Sequence, residues 1–498
     1  MKVFPAISMN PEVRFGKPSA SNPEPTELAG RAGYPIARRT LLTALSAGLA
    51  LGLERLLVAA QPEGGARRAV GEALSALRPY TGVYRFGGDH RLGIDRFISD
   101  SGDSTLLFCD YETGLVRPMF QVSQAEFAVG PSFTVRSPIE LTVQFKMDGQ
   151  GASQGLTLQP TGGAATFAPR VPSRDEEVVF RHGDVSLAGT FIAPSAPGPH
   201  PAIVLLHGSG PLTRHSFGPW PRFFNSLGMA VLVYDKRGTG ASTGVRLDAS
   251  TGAPKTLSSR YYPDDLADDA LAALRFLRAR AEVDRRQIGF WGSSEGGMLA
   301  TQVAARSKDV AFAIDSSGFM GPLWETLLYQ AGALTRGRGS PELDVDETMA
   351  FTRLWMEVAR TGKGYEEFLK RREAIIASGK PWLLSYESSA FTSLEQMRWV
   401  WKHILTFSPL LNLRRVNCPV LGVWGEADPL TDAPKAASAM REALSKGGNR
   451  DVTVKIFPHA GHSLMETPSR KGMAPGVFDY LRQWLLARVR LPQAGVRG

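Results

Sequence analysis

The chain has 498 residues, 43% of them hydrophobic and 21% charged, the balance of a globular protein and too long for one ordinary core. Its formal charge of +9 at pH 7 comes from Lys and Arg scattered among acids without a long basic run, so it reads as surface solvation rather than a nucleic-acid footprint. Only two cysteines occur, Cys109 and Cys418, far apart in the chain, which points away from a disulfide scaffold or a cysteine-ligated zinc site and towards buried thiols.

Residues 1–61 are expected to form an export segment. Arg38-Arg39-Thr40-Leu41-Leu42 opens an apolar run over 41–53, shorter than the roughly 20 residues needed to span a bilayer. Glu54 and Arg55 interrupt the run, and Val58-Ala59-Ala60 supplies small residues of the kind a signal peptidase accepts. The segment resembles a twin-arginine signal, implying a periplasmic or extracellular protein. The alternative is an ordinary amphipathic helix after a misassigned start, in a cytoplasmic protein. No later segment is long and apolar enough to span a membrane.

Over 62–172 the pattern predicts a small antiparallel β domain of meander or barrel type, ending in a linker. Residues 139–147 alternate apolar and polar side chains without a break, as a strand with one buried face requires. Shorter runs at 80–86, 92–98 and 105–111 are separated by Gly, Asp and Ser clusters, a spacing that suits a small β fold. Gly162-Gly163 through Pro172 reads as the linker.

A different pattern occupies 173–492. A hairpin is expected around His182-Gly183-Asp184, followed by strands that alternate with helices. The apolar runs at 201–206, 229–234, 287–291 and 310–314 are of the continuous kind expected where helices cover both faces of a mostly parallel, doubly wound sheet, and 419–424 and 452–457 supply further strands. Helices are predicted over 264–277 and 477–486. An insertion at about 320–407 is helix-like and contains Trp324, Trp355, Trp382, Trp399 and Trp401. Most of these are expected to pack its core, with one or two facing a ligand cleft.

The strand at 287–291 runs directly into Gly292-Ser293-Ser294-Glu295-Gly296-Gly297 and then a helix-forming segment. A sharp strand-to-helix turn leaves no room for side chains two positions either side of its centre, which makes Ser294 the candidate nucleophile and Ser293 a neighbour off the centre. A serine nucleophile needs a base and a group to orient that base. Both are expected downstream at strand ends, in Gly425-Glu426-Ala427-Asp428-Pro429 and Pro458-His459-Ala460-Gly461-His462-Ser463. His462, after a turning glycine, is favoured as base over His459. Asp428 is favoured as orienter over Glu426, a turn residue, Asp432, a helix cap, and Asp315, a reserve position. An oxyanion site needs two preorganised N–H donors. One is expected from the backbone of Glu295 and the other from His207-Gly208-Ser209-Gly210-Pro211, with Ser209 preferred to Gly208 and the His207 side chain structural. Asp235-Lys236-Arg237-Gly238-Thr239-Gly240-Ala241-Ser242 lacks phosphate-loop spacing and reads as a tight turn.

Together, the loop 207–210, the elbow 292–297, Gly425-Glu426-Ala427-Asp428 and Ala460-Gly461-His462 resemble the α/β-hydrolase superfamily. Within it, the chain is similar to bacterial carboxylesterases with an N-terminal β domain and a helical cap. The resemblance covers the chain from Glu176 onward and implies an α/β-hydrolase fold with a Ser294–His462–Asp428 triad, oxyanion donors at Glu295 and Ser209, and no metal or organic cofactor. It also implies a small-molecule ester substrate with an apolar acyl group. Ser293 departs from the His or larger residue that many relatives carry before the nucleophile. A prolyl-oligopeptidase-like peptidase is the main enzymatic alternative, although the β segment is too short for a propeller. A thioesterase or acyltransferase would share the triad, and a binding protein on a retired hydrolase fold is the non-enzymatic alternative.

Overall fold

The computed structural model describes residues 72–98, 104–244 and 263–490. The arginine pair and the apolar run that follows it lie outside these residues. All described residues belong to the unit Ser46–Gly498.

Eight antiparallel strands close into a barrel: β1 (Gly82–Arg85), β2 (Arg91–Ile98), β3 (Ser104–Asp110), β4 (Val116–Gln121), β5 (Glu126–Val129), β6 (Leu141–Met147), β7 (Ser153–Pro160) and β8 (Thr166–Val171). The stretch 162–172, expected to be a linker, therefore contains the strand that shuts the barrel, with Val171 opposite Val83. Its Pro169 and Pro172 mask the strand in the sequence, because proline reads as a breaker. Tyr80, Tyr84, Phe108, Phe127 and Phe145 fill the interior, so this barrel is packed with side chains.

Strand β3 has both of its faces covered. Leu106 and Phe108 point into the barrel core, whereas Leu107 and Cys109 join a second core shared with Trp220, Phe223, Trp291 and Phe478. Successive side chains face opposite sides of a strand, and here both sides are covered. Arg222, 1% exposed, adds a polar anchor. Its guanidinium meets Asp95 of β2 at 3.3 Å and Asp175 through a two-pronged contact. A buried guanidinium requires paired carboxylates of this kind, since an unpaired one is strongly destabilising.

The second sheet contains β9 (Ser173–His182), β10 (Val185–Pro194), β11 (His200–Leu206), β12 (Ala230–Tyr234), β13 (Val283–Ser293), β14 (Phe312–Ser316), β15 (Val420–Gly425) and β16 (Val452–Phe457). Their order is β16-β15-β14-β13-β11-β12-β10-β9. Strands β11 to β16 run parallel, while β10 pairs antiparallel with both β12 and β9. This is an α/β-hydrolase fold preceded by an antiparallel β-barrel. The helices Asp264–Arg278, Glu295–Arg306, Ala433–Lys446 and Val477–Leu486 accompany this sheet. Parallel strands bring the loops after β11, β13, β15 and β16 to one edge, where ligands bind in open α/β sheets.

Between β14 and β15 the chain forms a helical insertion including Leu323–Gly337, Glu342–Thr361, Tyr365–Ala377 and Leu394–Val400. Trp355 is fully buried and donates its indole N–H to the Phe391 carbonyl at 2.9 Å. Trp324, Trp399 and Trp401 pack against the same core, whereas Trp382 is 41% exposed. Among the described residues no helix is long and apolar enough to cross a membrane.

Candidate active site

Ser294 stands between the last residue of β13 and the first of the helix Glu295–Arg306, with φ 58° and ψ −121°. A non-glycine residue at positive φ is strained and persists only where its surroundings overdetermine it. Here the Ser294 N–H is held by the Ser316 carbonyl at 2.7 Å. The flanking glycines are sterically required. A Cβ on Gly292 would meet the Gly296 carbonyl oxygen at 2.0 Å, and one on Gly296 would meet the Leu206 oxygen at 2.2 Å.

Asp428 and His462 are brought together from the loops after β15 and β16. The His462 Nδ1 lies 2.8 Å from Asp428 Oδ2 and 3.0 Å from Oδ1. The Asp428 side chain is fully buried and that of His462 is 17% exposed. Oδ1 also accepts the N–H groups of Leu430 at 2.7 Å and Thr431 at 3.1 Å, which fixes the carboxylate plane. An ionised carboxylate only accepts hydrogen bonds, so the proton of a neutral His462 ring sits on Nδ1 and leaves the Nε2 lone pair free. The two loops touch through their backbones, with Ala427 N–H donating to Ala460 O at 2.9 Å. Both hydrogen bonds of the imidazole go to Asp428, and none joins it to Ser294.

The loop after β11 lies against the elbow. A Cβ on Gly208 would sit 3.4 Å from Ser294 Cβ. Among the described residues, neither the Ser209 nor the Glu295 backbone N–H has an acceptor. Lys236 links the segments that carry them: its Nζ donates to the Gly208 carbonyl at 3.0 Å and to the Glu295 carboxylate, with both side chains of the ion pair buried. In the sequence, Lys236 falls within an expected tight turn. A turn is present, with Gly238 and Gly240 at positive φ, but the lysine points from it towards the elbow. Only the pairing of β11 with β12 and β13 makes that proximity visible.

The remaining candidates occupy other positions. His459 is exposed, and its N–H donates to Glu426 at 3.3 Å. Asp432 caps the helix Ala433–Lys446 by accepting from Lys435 N–H. Asp315 is buried, with Oδ1 accepting from Gly318 N–H at 2.7 Å, and burial pushes its carboxyl up to about 8. His207 stacks on Phe217 at 4.0 Å and contacts the Tyr234 carbonyl through Nε2 at 2.7 Å. Burial lowers its imidazole to about 3, keeping the ring neutral. Cys109 and Cys418 are free thiols, the first buried and the second partly so. Among the described residues, no cluster of three or more His, Cys, Asp or Glu is disposed to hold a metal ion.

Comparison with known proteins matches residues 203–471 to the alpha/beta hydrolase family. Esterase EstD of Thermotoga maritima is 30% identical over 199 residues, which are 38% of this chain and 44% of that protein. The chain thus spans less than half the length of that relative. An uncharacterised 31.7 kDa protein of Escherichia coli is 23% identical over 52% of this chain and 84% of its own length. Among solved structures, a Pyrococcus furiosus esterase aligns with 64% of this chain and 91% of its own at 18% identity, with a TM-score of 0.37. With more than half of its residues covered by the family match, the chain belongs to the alpha/beta hydrolase family.

Proposed function

We propose that the protein is a serine hydrolase that cleaves carboxylic esters through an acyl-enzyme. The observation that carries this reading is the buried Asp428 carboxylate clamped on His462 Nδ1, on the sheet edge where Ser294 emerges at its strained turn. In the reaction, Ser294 Oγ bonds to the ester carbonyl carbon while its proton passes to His462 Nε2. The imidazolium then gives that proton to the departing alkoxide as the carbon–oxygen bond breaks. Water repeats the sequence to release the acid and restore Ser294. Asp428 holds the ring in the Nδ1–H tautomer and stabilises its charged form. The free N–H groups of Glu295 and Ser209 are suited to the oxyanion. Absence of a Ser294–His462 hydrogen bond fits a resting site whose contacts tighten when substrate binds.

The likeness to an esterase over 199 residues supports an ester over an amide, and the tryptophan-rich cap suits an apolar acyl group. A fluorophosphonate probe should label the wild type and fail on Ser294→Ala; labelling that survives would refute the nucleophile. Turnover of p-nitrophenyl esters of rising acyl length, set beside aminoacyl-naphthylamides and acyl thioesters, should favour the esters. Amide cleavage without ester cleavage would replace the reading with a peptidase. From residues 38–60 of the sequence we also infer export by the twin-arginine route. Replacing Arg38 and Arg39 by Lys should retain the protein in the cytoplasm on fractionation, and unchanged export would overturn that inference.

A further inference from the structure

The loop that carries His462 leaves β16, which among the described residues is the edge strand of its sheet and pairs with β15 alone. Among the described residues, no further strand of the sheet stands beside it. Residues 458–476, between Phe457 and the helix Val477–Leu486, are instead folded on themselves by isolated bridges, Ala460 with Glu466 and Met465 with Met473. His459, Leu464 and Arg470 all hold positive φ there, at 56°, 60° and 48°. Three strained non-glycine residues in one loop need external contacts to persist.

The later part of the loop, residues 470–473, takes its contacts from the barrel. Leu115, in the turn between β3 and β4, bridges Gly472, and Met473 N–H donates to Gly114 O at 2.8 Å. Arg117 of β4, with a side chain only 5% exposed, donates from Nε to Lys471 O at 3.1 Å and from Nη1 to Gly130 O at 2.7 Å. Phe133 N–H donates to Arg470 O at 3.1 Å, and the Arg470 guanidinium lies 5.1 Å above the Phe133 ring. From the barrel turn, the support passes through Met473 to its bridge partner Met465. The Met465 carbonyl accepts Gly461 N–H at 2.9 Å, one residue before His462. The approach is close enough that a Cβ on Gly472 would meet Gly114 O at 2.3 Å.

We propose that the barrel is a positioning element for His462, with Arg117 and the Gly114–Leu115 turn supplying the lateral support that an edge strand lacks. The inference rests on the reading of His462 as the base. Misplacement of a reacting group by about 1 Å can cost roughly 100-fold in rate. In the full-length protein, Arg117→Met removes the hydrogen bond to the Lys471 carbonyl, and Gly472→Ala wedges the loop away from Gly114 without altering the Arg117 side chain.

Each variant should lower kcat on a p-nitrophenyl ester by about 10- to 100-fold with KM changed less than about twofold, because acyl binding is not disturbed. The deciding measurement repeats both substitutions in His462→Ala, where residual turnover no longer depends on the imidazole. There each should change kcat by less than about twofold, since a lost partner makes the effects non-additive. An equal fall with and without His462 would reduce the barrel to a general stabiliser and overturn the proposal, as would unchanged kcat in both folded variants. If His462→Ala alone leaves turnover intact, the assignment of the base fails, and that failure is separate from these outcomes. Should Arg117→Met not fold, Gly472→Ala carries the same test.

Discussion

Lys236 and Glu295 form a buried ion pair at the base of the nucleophile elbow, and the same ammonium holds the Gly208 carbonyl at 3.0 Å. In a trans peptide the C=O and the following N–H point in opposite directions. Holding the Gly208 oxygen therefore fixes the direction of the Ser209 N–H, while the pair ties down the helix start that presents the Glu295 N–H. Lys236→Met should leave the Glu295 carboxylate buried and unpaired, at a cost of about 3–5 kcal/mol. Lys236→Met with Glu295→Met should recover much of that stability and still show kcat lower by up to about 100-fold, the scale of a lost oxyanion donor. Thermal melts and initial rates on the same samples check this; recovery of kcat together with stability would mean that the pair does not set the donor.

Asp428 holds His462 in one tautomer, so Asp428→Asn should keep the loop geometry and lose the chemistry. The amide can donate to Nδ1 and drive the ring proton to Nε2, where it cannot accept from Ser294. A loss of about 10,000-fold in kcat is expected from the wrong tautomer, with KM nearly unchanged. A loss below about tenfold would argue for another orienting acid.

The strain at Ser294 opposes stability. Glycine adopts a φ of 58° without a Cβ clash, so Ser294→Gly should stabilise the protein by about 1 kcal/mol while abolishing turnover. Chemical denaturation measures the gain, and a lower midpoint would mean that the Ser294 side chain makes contacts worth more than its strain.

The insertion grips the acid loop: Tyr329 donates its hydroxyl to the Asp428 carbonyl at 2.9 Å, and Gln330 donates to Leu430 O at 2.9 Å. Tyr329→Phe should cost about 1 kcal/mol for one lost hydrogen bond and lower kcat by a few fold through the Asp428–His462 pair. Tyr329→Ala should cost more in both. Equal kcat for Tyr329→Phe and wild type would confine the contact to anchoring the cap.

Asp315 makes stability depend on pH. Its carboxyl, raised by burial from 3.8 to about 8, is protonated in the folded protein at neutral pH and ionised in the unfolded chain. The folded state then binds more protons, so stability falls as pH rises through that window and levels off above it. Asp315→Asn removes the titration, so its melting temperature should decline less between pH 5 and 8 than that of the wild type. Parallel profiles would place the pH dependence on other groups.

Much of the fold was legible because burial leaves local marks. Strand β16 coincides with the run 452–457, and the helix Val477–Leu486 with its apolar periodicity. Strand β8 is hidden by Pro169 within it and Pro172 just after it. Strands β4 and β5 leave weaker marks in the sequence: β4 has Pro118 within it, and β5 has only four residues.

By itself, the chain's order of residues determined the α/β-hydrolase fold, the strand-to-helix turn at Ser294, and the two loops from which Asp428 and His462 meet. These are local consequences of apolar runs, turn glycines and strand ends, each written over a few consecutive residues. Tertiary structure alone decided that Lys236 reaches Glu295, that the insertion holds the Asp428 loop, and that Arg117 reaches the backbone 354 positions away at Lys471. Such contacts depend on which strands become neighbours, and neighbouring is a property of the closed sheet and barrel that no short window of sequence contains.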